Sequence, residues 1–306
     1  MTGGQPMKAT TLTVLVIIVT AVWSSGCWLN SSRSLSAPAD QTKAPDTGPG
    51  DKPSVPKNAS TDAGADKGAP PPNLMVIGAS SLLPPLGQQP QLLRALLNSK
   101  GIQMHVEGRW PPLDALSRMK SSKLVWDYVI IDAWNLARGR TDSPDWPKNV
   151  AAFVEQVRAQ SPKCKIILFP WWLPDAKATN EDVMEVFRRC VGQARLNGIW
   201  VATTGPAFME VRLARPDLRV TYSKTDAHPG VDGAYINACS VYALITGESP
   251  VGLPATLRIT VDANGGKTVD FAIAPGNARY LQEAAWRVYQ REIKHTKPTK
   301  QESDGR

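Results

Sequence analysis

The sequence predicts an α/β domain of three layers, with a parallel sheet of about five strands held between two layers of helices. Two observations carry this. The apolar runs Leu74–Gly78, Tyr128–Asp132 and Lys165–Phe169 are continuous rather than alternating, as strands buried on both faces require. Stretches with helical apolar spacing separate them, the order of a sheet built by crossover helices.

The elements follow in chain order. Leu74–Gly78 reads as the first strand and Gln91–Ser99 as a helix ending before Gly101. Ile102–Val106 is the second strand, followed by a helix over Leu113–Ser121. Tyr128–Asp132 is the most apolar strand, and Trp146–Gln160 is an amphipathic helix. Lys165–Phe169 is closed by Pro170, and Asn180–Asn197 is a helix with Asn180 as its expected cap. Ile199–Ala202 makes a fifth strand and Asp232–Thr246 a further helix. Leu257–Val261 and Thr268–Ala272 flank Asn264-Gly265-Gly266, a hairpin signal. The helix Asn277–Ile293 closes the domain, leaving residues 294–306 as a polar tail.

The domain is expected to occupy residues 73–293. Ahead of it, Lys8 precedes the apolar run Leu12–Val22, which ends in Trp23-Ser24-Ser25-Gly26-Cys27. A basic start, a short apolar stretch and small residues make an export signal over 1–27, too short to span a membrane comfortably. Small residues before a cysteine resemble a bacterial lipoprotein cleavage site, although Ser24 stands where leucine is usual. Lipidation of Cys27 is the expectation, an uncleaved signal anchor the alternative. Residues 28–72, rich in Ser, Pro, Asp, Lys, Gly and Ala, bury too little apolar surface to offset their ordering entropy. They read as a flexible tether between membrane and domain, so the expected location is the cell envelope.

The net charge is +8, but cations and anions are interspersed, which argues against nucleic acid as a partner. The last helix and tail gather Arg279, Arg287, Arg291, Lys294 and Lys297. That grouping reads as a solvated face, with anionic lipid or a cell-wall polymer as the alternative partner. Cys164, Cys190 and Cys239 lie in apolar contexts without metal-ligand spacing. Buried thiols are expected, with a Cys164–Cys190 bridge the other possibility and no metal or cofactor site.

Among the three histidines, His228 stands apart, because Asp226 precedes it and Pro229 and Gly230 follow. In extended backbone residues i and i+2 face the same way, so the carboxylate can hold one imidazole nitrogen and leave the other to take a proton. A nucleophile must come from elsewhere, and Val76-Ile77-Gly78-Ala79-Ser80-Ser81 breaks an apolar run at glycine to deliver serines. Ligands of open α/β sheets bind beyond the carboxyl ends of the strands. Ser80 follows the first strand, Gly108 the second, Trp134 and Asn135 the third, and His228 the fifth and its short helix.

Several stretches together resemble the SGNH (GDSL-like) hydrolases, near the bacterial branch whose first motif is Gly-Asn-Ser. They are Val76-Ile77-Gly78-Ala79-Ser80, Trp126-Asp127-Tyr128-Val129-Ile130-Ile131, Asp226-Ala227-His228-Pro229 with Gly233-Ala234-Tyr235, the run from Tyr242 to Pro250, and Tyr280 to Trp286. The resemblance spans Asn73 to Arg291 and implies a flavodoxin-like parallel sheet. It implies Ser80 as nucleophile, His228 as general base and Asp226 as its orienting acid. The oxyanion donors would be the Ser80 and Gly108 N–H groups and the Asn135 amide. Such enzymes use no metal and cleave acyl esters through an acyl-enzyme, which makes an O-acetyl group on a carbohydrate, or a small-molecule ester, the expected substrate.

Three positions depart from the pattern. Ala79 stands where Asp or Asn precedes the serine, Thr225 stands where the acid usually lies, and Asn135 is offset in Asp132-Ala133-Trp134-Asn135. They leave two alternatives, a catalytically impaired domain that binds a glycan or protein at the cell surface, and an O-acyltransferase. Trp110, Trp134, Trp171 and Trp172 all follow expected strand ends. Their aromatic faces suit a sugar ring; closing the top of the core is the other reading.

Overall fold

The computed structural model describes residues 70–78, 82, 88–109, 111–137, 141–170, 178–260 and 268–298. The expected signal over 1–27 with Cys27, nearly all of the 28–72 tether, Ser80, Trp110, Trp171, Trp172, the hairpin tip and most of the tail lie outside them.

Five parallel strands form the sheet: β1 (Asn73–Ile77), β2 (His105–Arg109), β3 (Tyr128–Asp132), β4 (Lys165–Phe169) and β5 (Trp200–Val201), in the order β2-β1-β3-β4-β5. Successive side chains alternate between faces. Leu74, Val76, Ile130, Ile167 and Phe169 enter one apolar layer, while Met75, Ile77, Val129, Ile131, Ile166 and Leu168 enter the other. The first layer is covered by α1 (Gln89–Ser99), α6 (Thr204–Ala214), α7 (Val231–Thr246) and α8 (Pro275–Thr296). The second lies under α2 (Pro112–Ser121), the short α3 (Ala133–Leu136), α4 (Trp146–Gln160) and α5 (Asn180–Asn197). The three-layer α/β/α expectation is met. Right-handed crossovers running in opposite directions from β1 place α1 on one face and α4 and α5 on the other.

The hairpin pairs β6 (Thr256–Thr260) antiparallel to β7 (Thr268–Ala272). Helix α7 is buried along nearly its whole length, from Asp232 to Leu244. Its run Ala238-Cys239-Ser240-Val241-Tyr242-Ala243-Leu244 has no polar face to offer solvent, as a helix enclosed on all sides requires.

Most elements match the sequence expectation to within one to three residues at each end, and two of the differences have a clear local reason. The second strand begins at His105 rather than Ile102 because Ile102 closes α1. Gly101 takes the left-handed conformation at φ 75°, and the Ile102 N–H donates to Leu97 O at 3.1 Å. Gly108 therefore lies inside β2, opposite Val76, rather than after it. Helix α5 is capped by Thr179, not Asn180. The Thr179 hydroxyl accepts from the Asp182 N–H, and the Asp182 carboxylate accepts from Thr179, a reciprocal capping box. Cys164, Cys190 and Cys239 are free and buried, so no Cys164–Cys190 bridge forms, and burial first, with Asp127 nearby, pushes the Cys164 thiol up to about 12.

At the edge strand, Glu107 accepts hydrogen bonds from Arg118 at 2.9 and 3.2 Å, Arg109 at 3.1 Å, and His105 at 3.0 Å. Burial alone would raise its carboxyl. The bonds from Arg118 and His105, the Arg118 charge and the Arg109 bond outweigh it and hold the group at about 2. A depressed carboxyl stabilises the fold above its unfolded pKa, and the contribution fades as pH falls toward the folded value. Glu107→Gln should therefore cost about 1–2 kcal/mol near neutrality after allowance for solvent screening. That difference from the native chain should close between pH 4.5 and about 2, as read by denaturant titrations across that range.

Candidate active site

In the order β2-β1-β3-β4-β5 the chain leaves β1 toward opposite faces on its two sides, so a crevice opens beyond the carboxyl ends of β1 and β3. Asp132, the last residue of β3, is 1% exposed and accepts the Trp134 N–H at 2.9 Å, starting α3. It is a cap, as its place at a strand end suggests. Trp134 packs half-buried against the α7-side core. Beside it, the Nδ2 of half-buried Asn135 is sequestered from solvent and donates to no acceptor among the described residues. A buried amide donor left without an acceptor costs about 1–3 kcal/mol. Such a group is the kind that a developing charge can satisfy.

His228 lies between α6 and α7 in a small hairpin of its own. Thr221 and Pro229 bridge, the Tyr222 N–H donates to His228 O at 2.7 Å, and the Ser223 N–H to Asp226 O at 3.3 Å. The Ser223 hydroxyl accepts from the N–H groups of Thr225 at 3.2 Å and Asp226 at 3.0 Å, which turns the tip. Asp226 and His228 thus stand two apart on one face. The Asp226 Oδ1 accepts both the His228 N–H at 2.9 Å and the His228 Nδ1–H at 2.6 Å. With Nδ1 committed as donor, Nε2 is left as the acceptor of the ring. Burial raises the Asp226 carboxyl, but the backbone N–H, the ring bond and the imidazole charge prevail and hold it below the usual carboxylate range. Both side chains remain about two-fifths exposed, at 38% and 39%, so a substrate can reach them.

The hairpin is seated by the start of α7. Asp232 accepts the Arg219 N–H at 2.7 Å. A Cβ on Gly230 would meet Arg219 O at 2.2 Å, and one on Gly233 would meet Val220 O at 2.0 Å. Only glycine permits backbone this close. Sequence reasoning passed over Asp232, Gly230 and the turn-forming Ser223 as positioning residues. The signal for Gly230 and Asp232 was the Gly-x-x-Gly spacing directly after His228-Pro229.

The described residues therefore bring Asp226 and His228 into direct contact and place Trp134 and Asn135 at the end of β3. Gly108 lies one residue before the end of β2. Ser80, Trp110, Trp171 and Trp172 lie outside the described residues. Among the described residues no group of His, Cys, Asp or Glu is arranged to hold a metal ion.

No protein-family model and no curated protein matches the chain. Several solved structures are similar. A DUF4886 family protein from Bacteroides uniformis is 16% identical, with a TM-score of 0.52, covering 74% of this chain and 98% of that one. An acetyl xylan esterase from Geobacillus stearothermophilus is 19% identical, with a TM-score of 0.44 over 58% of this chain and 95% of that one. A putative GDSL-like lipase from Parabacteroides merdae is 15% identical, with a TM-score of 0.42 over 57% and 95%. Likeness at this identity is likeness of fold: the chain is a three-layer α/β/α domain of the architecture found in the DUF4886 protein, and GDSL-like and acetyl xylan esterase structures stand among its neighbours.

Proposed function

We propose that the domain is a serine esterase of the SGNH type, exported and held at the cell envelope by a lipid on Cys27, and acting on an acyl ester such as an O-acetyl group of a carbohydrate. The observation that carries the reading is the Asp226–His228 pair. Its 2.6 Å bond sets the imidazole tautomer a general base needs, in a segment leading into α7, whose Ala234 carbonyl accepts the Gln89 side chain at the start of α1.

In this reading Ser80 Oγ attacks the ester carbonyl carbon as its proton passes to His228 Nε2. The tetrahedral oxyanion is met by the Asn135 Nδ2 and the N–H groups of Ser80 and Gly108. The C–O bond to the alcohol breaks and the imidazolium returns the proton to the leaving oxygen. Water, deprotonated by the same nitrogen, then attacks the acyl carbon, and the bond to Ser80 Oγ breaks as the imidazolium returns the proton to that oxygen, releasing the acid. Asp226 stabilises the imidazolium without accepting its proton. The orphaned donor of Asn135 fits the oxyanion role, because its hydrogen bond is made only as charge develops. Trp134, with Trp110, Trp171 and Trp172, supplies the aromatic face for a sugar ring.

The test is hydrolysis of p-nitrophenyl acetate by the full chain. Ser80→Ala should abolish turnover, and Asn135→Ala should lower kcat by about 10²–10³ with little change in KM, the pattern of a contact made in the transition state. A native rate no greater than that of Ser80→Ala would direct attention to glycan binding or to acetyl transfer onto an acceptor alcohol.

A further inference from the structure

The amino end of the sheet, opposite the candidate site, has a composition that the esterase reading does not use. Tyr128 and Lys165 begin β3 and β4, and Trp200 begins β5. The Lys165 ammonium sits 5.1 Å from the centre of the Tyr128 ring and 5.2 Å from that of Trp200. Lys297, at the end of α8, lies 4.9 Å from the same Trp200 ring and 5.8 Å from Tyr289. Two ammonium groups thus share one indole. Arg195, near the end of α5, donates to His295 Nδ1 at 2.8 Å. Among the described residues Lys165, Arg195 and Lys297 form no ion pair with a carboxylate. By contrast Arg279, Arg287 and Arg291, which the sequence grouped with Lys297, are taken up by Glu283, Glu210 and Glu292.

Exposed apolar side chains lie close to these residues along the chain. Val125 (65% exposed) and Leu124 precede β3, and the Val125 carbonyl accepts the side chain of Asn73, the first residue of β1. Leu196 (64% exposed) is the penultimate residue of α5, next to Arg195, and lines a groove with Gln193 and with Trp146 of α4. Lys123 is exposed in the loop before β3 and Lys163 in the loop before β4. Asp127 also lies here, and its carboxylate accepts the Asn73 N–H at 2.8 Å. Cations without acid partners, half-buried Trp and Tyr, and solvent-facing Val and Leu together match the chemistry of a bilayer interface.

We propose that this edge is a docking face for an anionic membrane surface, with Lys165, Arg195 and Lys297 against the headgroups and Val125 and Leu196 at the apolar boundary. The chain reaches β1 from this edge: Pro72 O accepts the His105 N–H at 3.0 Å. The proposed tether, residues 28–72, therefore joins the domain at this edge, and a lipid on Cys27 would raise the effective concentration of bilayer at the domain. Docked this way, the domain turns the crevice beside His228 away from the bilayer. The face itself stands on charge and exposure, independent of the chemistry proposed for the opposite end.

The experiment is flotation of the full chain, carrying Val16→Asp, Ile17→Asp and Cys27→Ser so that its leader inserts nowhere, with phosphatidylglycerol–phosphatidylcholine vesicles and with pure phosphatidylcholine. Binding should require phosphatidylglycerol and fall with added salt. At roughly fivefold per cation, Lys165→Ala/Arg195→Ala/Lys297→Ala should weaken it about a hundredfold. Lys148→Ala/Arg258→Ala/Arg279→Ala, an equal change of net charge placed elsewhere, should weaken it far less, with melting curves showing all variants folded. Equal binding to both vesicle types, or equal loss in both triple variants, overturns the proposal. So does binding of inorganic polyphosphate through the first three cations without binding to vesicles, which would reassign the face to a soluble anionic polymer. Because the readout is lipid binding, failure of the esterase reading would leave this result standing.

Discussion

His228→Ala should lower kcat on p-nitrophenyl acetate by about 10⁴-fold or more, and Asp226→Asn should come close to it with the fold intact. The histidine loss is direct, since no other described imidazole approaches this sheet end: His105 begins β2 at the amino edge and His295 ends α8. The asparagine effect rests on one oxygen. Asp226 Oδ1 accepts two donors, the His228 N–H and Nδ1–H, and an amide oxygen can still accept both. An amide also offers an NH₂ group. Rotated, it would donate to Nδ1, move the ring proton to Nε2 and turn the general base into a donor. Circular dichroism and melting curves must first show equal folding, and the double variant should then be no worse than His228→Ala alone, because the two act as one unit. An Asp226→Asn enzyme retaining more than about a tenth of native kcat would remove Asp226 from the mechanism.

The second large effect concerns stability. Gly233→Ala should destabilise the domain by about 3 kcal/mol or more, the upper end of overpacking costs, because the added methyl meets the Val220 carbonyl oxygen at 2.0 Å and backbone cannot turn aside as a side chain can. At about 2–4 °C per kcal/mol for a domain of this size, the melting point should drop roughly 10 °C. Gly192→Ala, the same chemical change in the middle of α5 where nothing lies within 4 Å, should stabilise by about 0.5–1 kcal/mol. Thermal melts of the two variants side by side check both signs. A Gly233→Ala melt within a degree or two of native would mean that the His228 hairpin yields rather than seats on α7.

Gly233 also marks a limit of what the sequence makes legible. The sheet was legible because burial on both faces leaves a run such as Tyr128–Asp132 almost no freedom of composition, and its bounds came out as expected. The contact between Asp226 and His228 was legible because strand periodicity needs no knowledge of the rest of the chain. The start of β2 was not, because Ile102 looks like a strand residue whether it begins a strand or closes a helix over Leu97. The cap of α5 was misplaced by one residue, since Thr179 and Asn180 are both good caps and only the position of Asp182, three residues after Thr179, decides between them. The role of Gly233 depends on the path of Val220, which no local pattern encodes. Asn135 was a common loop residue until its amide proved buried and unmatched.

The hairpin carrying Asp226 and His228 has a consequence for how this site can change over time. Asp226 and His228 sit two apart on one ribbon fixed by the Thr221–Pro229 bridge and the bond from Tyr222 to His228. Side chains on such a ribbon alternate, so a residue inserted or deleted between the two would need a different backbone to keep them in contact, whereas a length change in the tip ahead of Asp226 leaves their facing untouched. Drift in this loop should therefore gather in residues 223–225, with the arm from Asp226 to Pro229 held at constant length.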